Sequence, residues 1–240
     1  LTRHQVDLSA RRFLKVSLRV VAAAAGAGLA GCATRAGDAA PSSAAASDAP
    51  EEGFEYRAAA RPVPTASGDK LEVVEFFWFG CPHCNAFEPV LRAWYRGQPG
   101  DVALRTVHPA LAPRWLPQQQ LFYALESMGR ADALRERVFR AIHVEGRRLD
   151  ERADIADFVA GLGEDRSRFL AAFDSSDVRE RMGRADEHAR AFGLEGVPGL
   201  AVEGRWLTSP GMAGSYTSAL EVVDHLLERE RARRARRPAA

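Results

Sequence analysis

Lysine is almost missing from this chain. Only Lys15 and Lys70 occur among its 33 lysine and arginine residues, a compositional bias that carries no functional weight. The 32 acidic residues bring the net charge to +1, which excludes the strongly basic footprint of a nucleic-acid binder. Cysteine is scarce too: three in 240 residues exclude a scaffold stapled by several disulfides. Long apolar runs are also absent, and Val20 to Ala30 is too short to be a membrane span. What remains, 46% hydrophobic and 27% charged, can bury one good core with room for an inserted subdomain.

The chain is organised around Leu71 to Phe87, LEVVEFFWFGCPHCNAF. Leu71, Val73, Val74, Phe76, Phe77, Trp78 and Phe79 form a nearly continuous apolar and aromatic run, the pattern of a strand buried on both faces, with Glu75 as its ionisable interruption. Gly80 breaks the run and Cys81-Pro82-His83-Cys84 follows. Phe87, Val90, Leu91 and Trp94 then continue at helical spacing. A helix that opens at a cysteine brings free amides and the positive end of its dipole to the sulfur, which lowers the thiol pKa. Pro82 suits the first helical position. His83 can bring a donor or a positive charge to the Cys81 sulfur. Two intervening residues let the sulfurs close a disulfide across one turn, and a pair that favours its thiolate releases that disulfide readily, as an oxidant does. Cys81 is expected to be the exposed attacking sulfur and Cys84 the resolving one. Two blander readings are weaker. Zinc would need two further ligands, and there is no second CxxC or CxxH; an inert disulfide would not need the strand–CPHC–helix setting.

At EFFWFGCPHC, followed by Phe87 and Glu88, the sequence resembles the DsbA family of periplasmic thiol oxidants. The resemblance covers about residues 54–228. It implies an α/β thioredoxin fold with an inserted helical subdomain at about 111–186 and an acidic Cys81. It implies no metal or soluble cofactor, the redox centre being the Cys81–Cys84 disulfide itself. It also implies reoxidation by a quinone-linked membrane partner. Helical periodicity over Leu116 to Met128, Ala131 to Val144, Arg152 to Gly161, Asp165 to Phe173 and Val178 to Phe192 suits such an insertion. His143 and His188 on these helices read as packing or surface residues. A short edge strand near Tyr56, a strand at Val102 to His108, and a hairpin turning at Glu203-Gly204 complete the expected sheet.

Gly196-Val197-Pro198 precedes a short strand and reads as a tight turn whose peptide isomer the residues leave open. The resemblance implies a cis-proline beside the CxxC with valine before it. It assigns Gly196, Val197 and Pro198 to substrate binding, with a client peptide paired as an added strand. Glu75 has two readings, because an acid in a buried strand is costly unless neutralised or used. It reaches Lys70 or solvent, or it is a raised-pKa acid relaying protons to and from Cys84. Its place six residues before Cys81 matches the family's buried glutamate and favours the relay. Glu88, also matched, is expected to tune the same site slightly.

Residues 1–32 read as an export signal, with Arg11, Arg12, Lys15 and Arg19 ahead of the apolar run. Leu29-Ala30-Gly31-Cys32 resembles a bacterial lipoprotein box and makes Cys32 a lipidation candidate, against ordinary cleavage nearby, for example after Ala33. Residues 33–53 read as a flexible tether. Residues 229–240 read as a basic tail, solvated and frayed, or touching anionic lipid heads if Cys32 is lipidated. The expectation is a monomeric periplasmic thiol:disulfide oxidoreductase, membrane-anchored if Cys32 carries a lipid, that donates its disulfide to unfolded or reduced exported proteins. Its rivals are a reductase or isomerase, a maturation factor with few clients, and a non-catalytic peptide-binding lipoprotein.

Overall fold

The computed structural model describes residues 49–236. The signal segment with Cys32, the tether through residue 48 and residues 237–240 lie outside the described residues. The first strand, β1 (Tyr56–Ala58), is an edge strand as expected. The next, β2 (Leu71–Phe76), is buried at all six positions. It pairs in parallel with β3 (Val102–Val107) and antiparallel with β4 (Gly199–Val202), which pairs with β5 (Trp206–Thr208). The sheet order is β1-β5-β4-β2-β3, which puts β2 inside the sheet. Alternation along β2 then supplies both faces. Leu71 and Val73 pack with Phe87 and Leu91, while Val74 and Phe76 pack with residues of the inserted helices. Glu72, passed over in the sequence reading, is buried in this strand as well. Its Oε2 accepts from the Ala66 amide and the Ser67 hydroxyl, both at 2.8 Å.

Helix α1 (Pro82–Arg96) leaves the end of β2 and stops at Gly97. Between β3 and β4 lie a 3-10 turn (Pro113–Trp115) and five helices: α2 (Leu116–Ser127), α3 (Ala131–His143), α4 (Arg152–Gly161), α5 (Arg166–Phe173) and α6 (Ser176–Ala191). The last begins earlier than its apolar pattern because Ser175 caps it, its hydroxyl accepting the Val178 N–H at 3.2 Å. A short α7 (Pro210–Ala213) and a long α8 (Tyr216–Ala235) close the chain. In the β4–β5 turn Glu203 and Gly204 both have positive φ. A Cβ on Gly204 would lie 1.8 Å from the Val63 carbonyl oxygen, so only glycine fits there.

One expectation fails here. The arginines read as a frayed tail continue α8 to Ala235 and are held against the body. Glu230, 1% exposed, accepts from Trp206 Nε1 at 2.9 Å and pairs with Arg205 and Arg233. Arg234 reaches Glu203 at 2.7 Å, and Arg231 grips Asp101 with two bonds. A charge run looks solvated in sequence because its acceptors lie far away along the chain.

Candidate active site

The turn from β2 into α1 places Cys81 at the N-cap, with extended φ/ψ, and Pro82 in the first turn. The Cys84 amide donates to Cys81 Sγ at 3.3 Å, and the Asn85 amide bonds the Cys81 carbonyl at 3.1 Å. Both cysteines are free thiols here. Cys81 was expected to be exposed, but it is only 7% exposed and Cys84 is fully buried. The cover is the Val197 carbonyl, which accepts from the Cys81 thiol at 3.5 Å. The Val197–Pro198 peptide is cis. Arg57 of β1 pins the approach to this loop, donating to the carbonyls of Phe192 at 2.8 Å and Gly193 at 2.7 Å. The loop of Gly196, Val197 and Pro198 thus reaches Cys81 through the Val197 carbonyl.

The two thiols are driven apart chemically. Hydrogen bonding from the Cys84 thiol, then from the backbone amides of Cys84 and His83, draws Cys81 down from 9.0 to about 6 against the opposing effect of burial. Burial first, and then the neighbouring Cys81, push Cys84 far up. The outcome is one sulfur ready as thiolate and one kept as thiol.

A family model described as a DSBA-like thioredoxin domain matches residues 101–219, from β3 to the first turn of α8 and beyond the CPHC motif. Relatives extend the match further. The thiol:disulfide interchange protein DsbA of Pseudomonas aeruginosa is 39% identical over 180 residues, 75% of this chain and 85% of that protein. The protein of the same name from Bordetella parapertussis is 42% identical over 171 residues, 71% of this chain and 81% of that one. The chain belongs to the DsbA family. The crystal structure of Pseudomonas aeruginosa DsbA superposes with a TM-score of 0.74 at 38% identity, covering 78% of this chain and 97% of that one. That of the Xylella fastidiosa oxidoreductase DsbA gives 0.72 at 30% identity, covering 76% and 98%. The α/β thioredoxin fold with its inserted helices is therefore that of DsbA.

Within this DsbA fold His83 lowers Cys81 through its backbone amide more than through its charge. Its ring Nδ1 lies 3.3 Å from the Tyr216 phenol oxygen, and its charge is the last of the influences on Cys81. The main contribution of residue 83 is its backbone amide. Together His83, Leu194, Val197, Pro198, Met212 and Tyr216 line part of a mainly apolar cleft of about 720 Å³.

Glu75 does not reach Lys70. Its counter-ion is Arg135 of α3, whose Nη2 donates to both carboxylate oxygens at 3.0 and 2.8 Å. Burial, opposed by Arg135 and reinforced by Glu88, pushes Glu75 up from 4.5 to about 7. Glu88 is also in this network, accepting from Arg92 at 2.8 Å and Arg135 at 2.7 Å.

Sequence reasoning missed Arg135, which sits in an ordinary charged helical pattern, and His108, which together with His143 clamps the residue before Gly80. The Phe79 amide donates to Nε2 of buried His108 at 3.4 Å, and Nε2 of His143 bonds the Phe79 carbonyl at 2.7 Å. Burial holds His108 down at about 3, so it stays neutral and able to accept. His143 is therefore a packing residue with a defined partner. Among the described residues no group of three His, Cys, Asp or Glu could hold a metal ion. No described helix is long and apolar enough to cross a membrane.

Proposed function

We propose that this protein is a thiol:disulfide oxidoreductase that donates a Cys81–Cys84 disulfide to reduced exported proteins in the periplasm. The observation that carries this reading is the opposed pair: a capped Cys81 drawn down to about 6 beside a buried Cys84 pushed up. In the oxidised protein a client thiolate attacks Cys81 Sγ. The client S–Cys81 bond forms, the Cys81–Cys84 bond breaks, and Cys84 leaves as thiolate. Glu75, as the neutral acid, gives Cys84 its proton and becomes a carboxylate. A second client thiolate then attacks the client sulfur of the mixed disulfide. The client leaves with its disulfide, and Cys81 remains as thiolate with Cys84 as thiol.

Each site residue has a part. Pro82 starts the helix, and the amides of His83 and Cys84 stabilise the Cys81 thiolate. The Gly196-Val197-Pro198 loop presents backbone for a client strand, and the cleft beside it takes apolar client side chains. The redox centre is the cysteine pair with no added cofactor, and the protein acts as a monomer. Reoxidation of the dithiol falls to a quinone-linked membrane partner. Cys32, if lipidated after export, would tether the domain to the membrane facing its clients.

The deciding measurement is the equilibrium of the domain against glutathione, with a thiolate titration of Cys81 on the same sample. A strongly oxidising couple with Cys81 titrating near 6 is expected. A reducing couple with Cys81 above 8 would overturn the oxidase reading.

A further inference from the structure

Glu75 meets its counter-ion from outside the strand–helix unit that carries the cysteines. Arg135 comes from α3, in the inserted helices, and its side chain is 2% exposed. Its Nη2 spans both oxygens of Glu75 and its Nε donates to Glu88 Oε2 at 2.7 Å. Its planar face lies over Phe77 at 3.8 Å, with Phe139 at 5.3 Å. Rings and carboxylates together leave the guanidinium one place to sit, which is what a fixed electrostatic reference needs.

We propose that Arg135 is the positioning residue through which the inserted helices set the pH at which Glu75 exchanges its proton with Cys84. This rests on the reading of Glu75 as proton relay. A guanidinium keeps its charge throughout the working range, so the exchangeable proton of the cluster belongs to a carboxylate. Glu88 has two guanidinium partners, Arg92 and Arg135, while Glu75 is bonded by Arg135 alone. From α1, Glu88 repels the Glu75 charge, Arg92 attracts it and Cys84 supplies or receives the proton; from α3, Arg135 attracts it. At the end of β3, His108 is neutral by burial and its amide bonds the α2 phenol of Tyr123, itself held protonated. Neither adds a competing charge. When Cys84 leaves as thiolate, the proton passes from the Glu75 carboxylic acid to Cys84, and Arg135 stabilises the carboxylate that remains. On reoxidation that carboxylate takes the proton back as Cys84 attacks the mixed disulfide.

The test is stopped-flow oxidation of the reduced protein by excess oxidised glutathione between pH 5 and 9. The phase independent of glutathione concentration is Cys84 closing on the mixed disulfide. The wild-type profile should bend near 7, where Glu75 becomes a base. Loss of an opposite charge at this distance moves a carboxylate by about one pH unit or more. R135M should therefore shift the bend to higher pH and slow closure at pH 7 about fivefold or more. E88Q should shift it to lower pH, and R135K, which keeps the charge without the fork, should fall between R135M and wild type. A merely structural Arg135 would lower the rate at every pH and leave the bend in place; folded R135M or R135K with that behaviour overturns the proposal. Should R135M not fold, R135K and E88Q decide it by the same criterion. E75Q separates the two readings. If E75Q leaves the wild-type bend unchanged, the relay itself is wrong; if E75Q abolishes the bend but the Arg135 and Glu88 variants do not move it, only the present proposal fails.

Discussion

Deleting residues 229–240 should cost this domain a large part of its stability, although their sequence looks dispensable. Four groups of contacts set the magnitude. Without Glu230, Trp206 Nε1 loses its acceptor inside the protein, and an unsatisfied buried donor costs about 1–3 kcal/mol. Without Arg234, the carboxylate of Glu203, 8% exposed, loses a charged partner at 2.7 Å, a bond of the class worth about 1.5–3 kcal/mol. Arg229 lies 4.3 Å over the Trp206 ring, adding about 0.5–1 kcal/mol. The exposed Arg231–Asp101 pair adds at most about 1 kcal/mol. These groups adjoin one another and do not add fully, so the expected loss is about 3–6 kcal/mol out of a typical 5–15. Urea unfolding of the full domain, of the deletion, and of a control lacking only residues 237–240 measures it. The midpoint should fall for the longer deletion and hold for the control. A loss below about 1 kcal/mol would mean that α8 ends functionally near Leu227 and that the ion pairs beyond it contribute nothing.

Two further outcomes follow from the active-site turn. A Cβ on Gly80 would lie 2.3 Å from the Trp78 ring, which stacks on Trp115 at 4.5 Å; G80A should therefore push Trp78 off its partner, cost about 1–3 kcal/mol and change the near-ultraviolet dichroism, and an unchanged spectrum would show that the turn yields freely. The stability of the reduced protein should also depend on pH with a definite sign. Cys81 is depressed to about 6, so its contribution is full above its unfolded value and is lost as pH falls through 6. Glu75 is raised to about 7, so its contribution is full below 4.5 and is lost as pH rises through 7. Oxidised protein has no Cys81 thiol in either state. Reduced-minus-oxidised stability should therefore rise between pH 6 and about 8.5, by roughly 2 kcal/mol once the solvent reaching the sulfur is allowed for, and a flat difference across that range would refute the assignment of the thiolate.

What was legible in the sequence was local. Strand β2, the Gly80 break, Cys81 at the cap and Pro82 in the first turn follow from seventeen consecutive residues, because burial and capping act between near neighbours in the chain. The helices of the insertion were legible for the same reason, with ends displaced by a residue or two where a cap such as Ser175 set them. The cis-proline loop needed the family resemblance, since the residues around Pro198 permit either isomer. The charged partners were not legible, because they lie far off in the chain. Lys70, weighed as a partner for Glu75 in the less favoured reading, is its neighbour in sequence, whereas the counter-ion lies 60 residues away in Arg135. The terminal arginines were given solvent when their acceptors stand at Asp69, Asp101 and Glu203.

That division has a consequence for how the chemistry is controlled. Covalent exchange needs two sulfurs one turn apart, and a short stretch of chain supplies them. Timing the proton on the buried sulfur needs opposite charges held in apolar surroundings, and a single amphipathic helix has no apolar surroundings to offer. Only a second layer can enclose such a cluster, which is where Phe77, Phe139 and Arg135 meet. The inserted helices are thus more than a cover for the cysteine pair: to the attraction of Arg92 on α1 they add a guanidinium bonded to both oxygens of Glu75. Insertions of equal helical content that place an apolar residue at position 135 would leave the same CPHC motif with a different proton inventory, even though the motif itself would read identically.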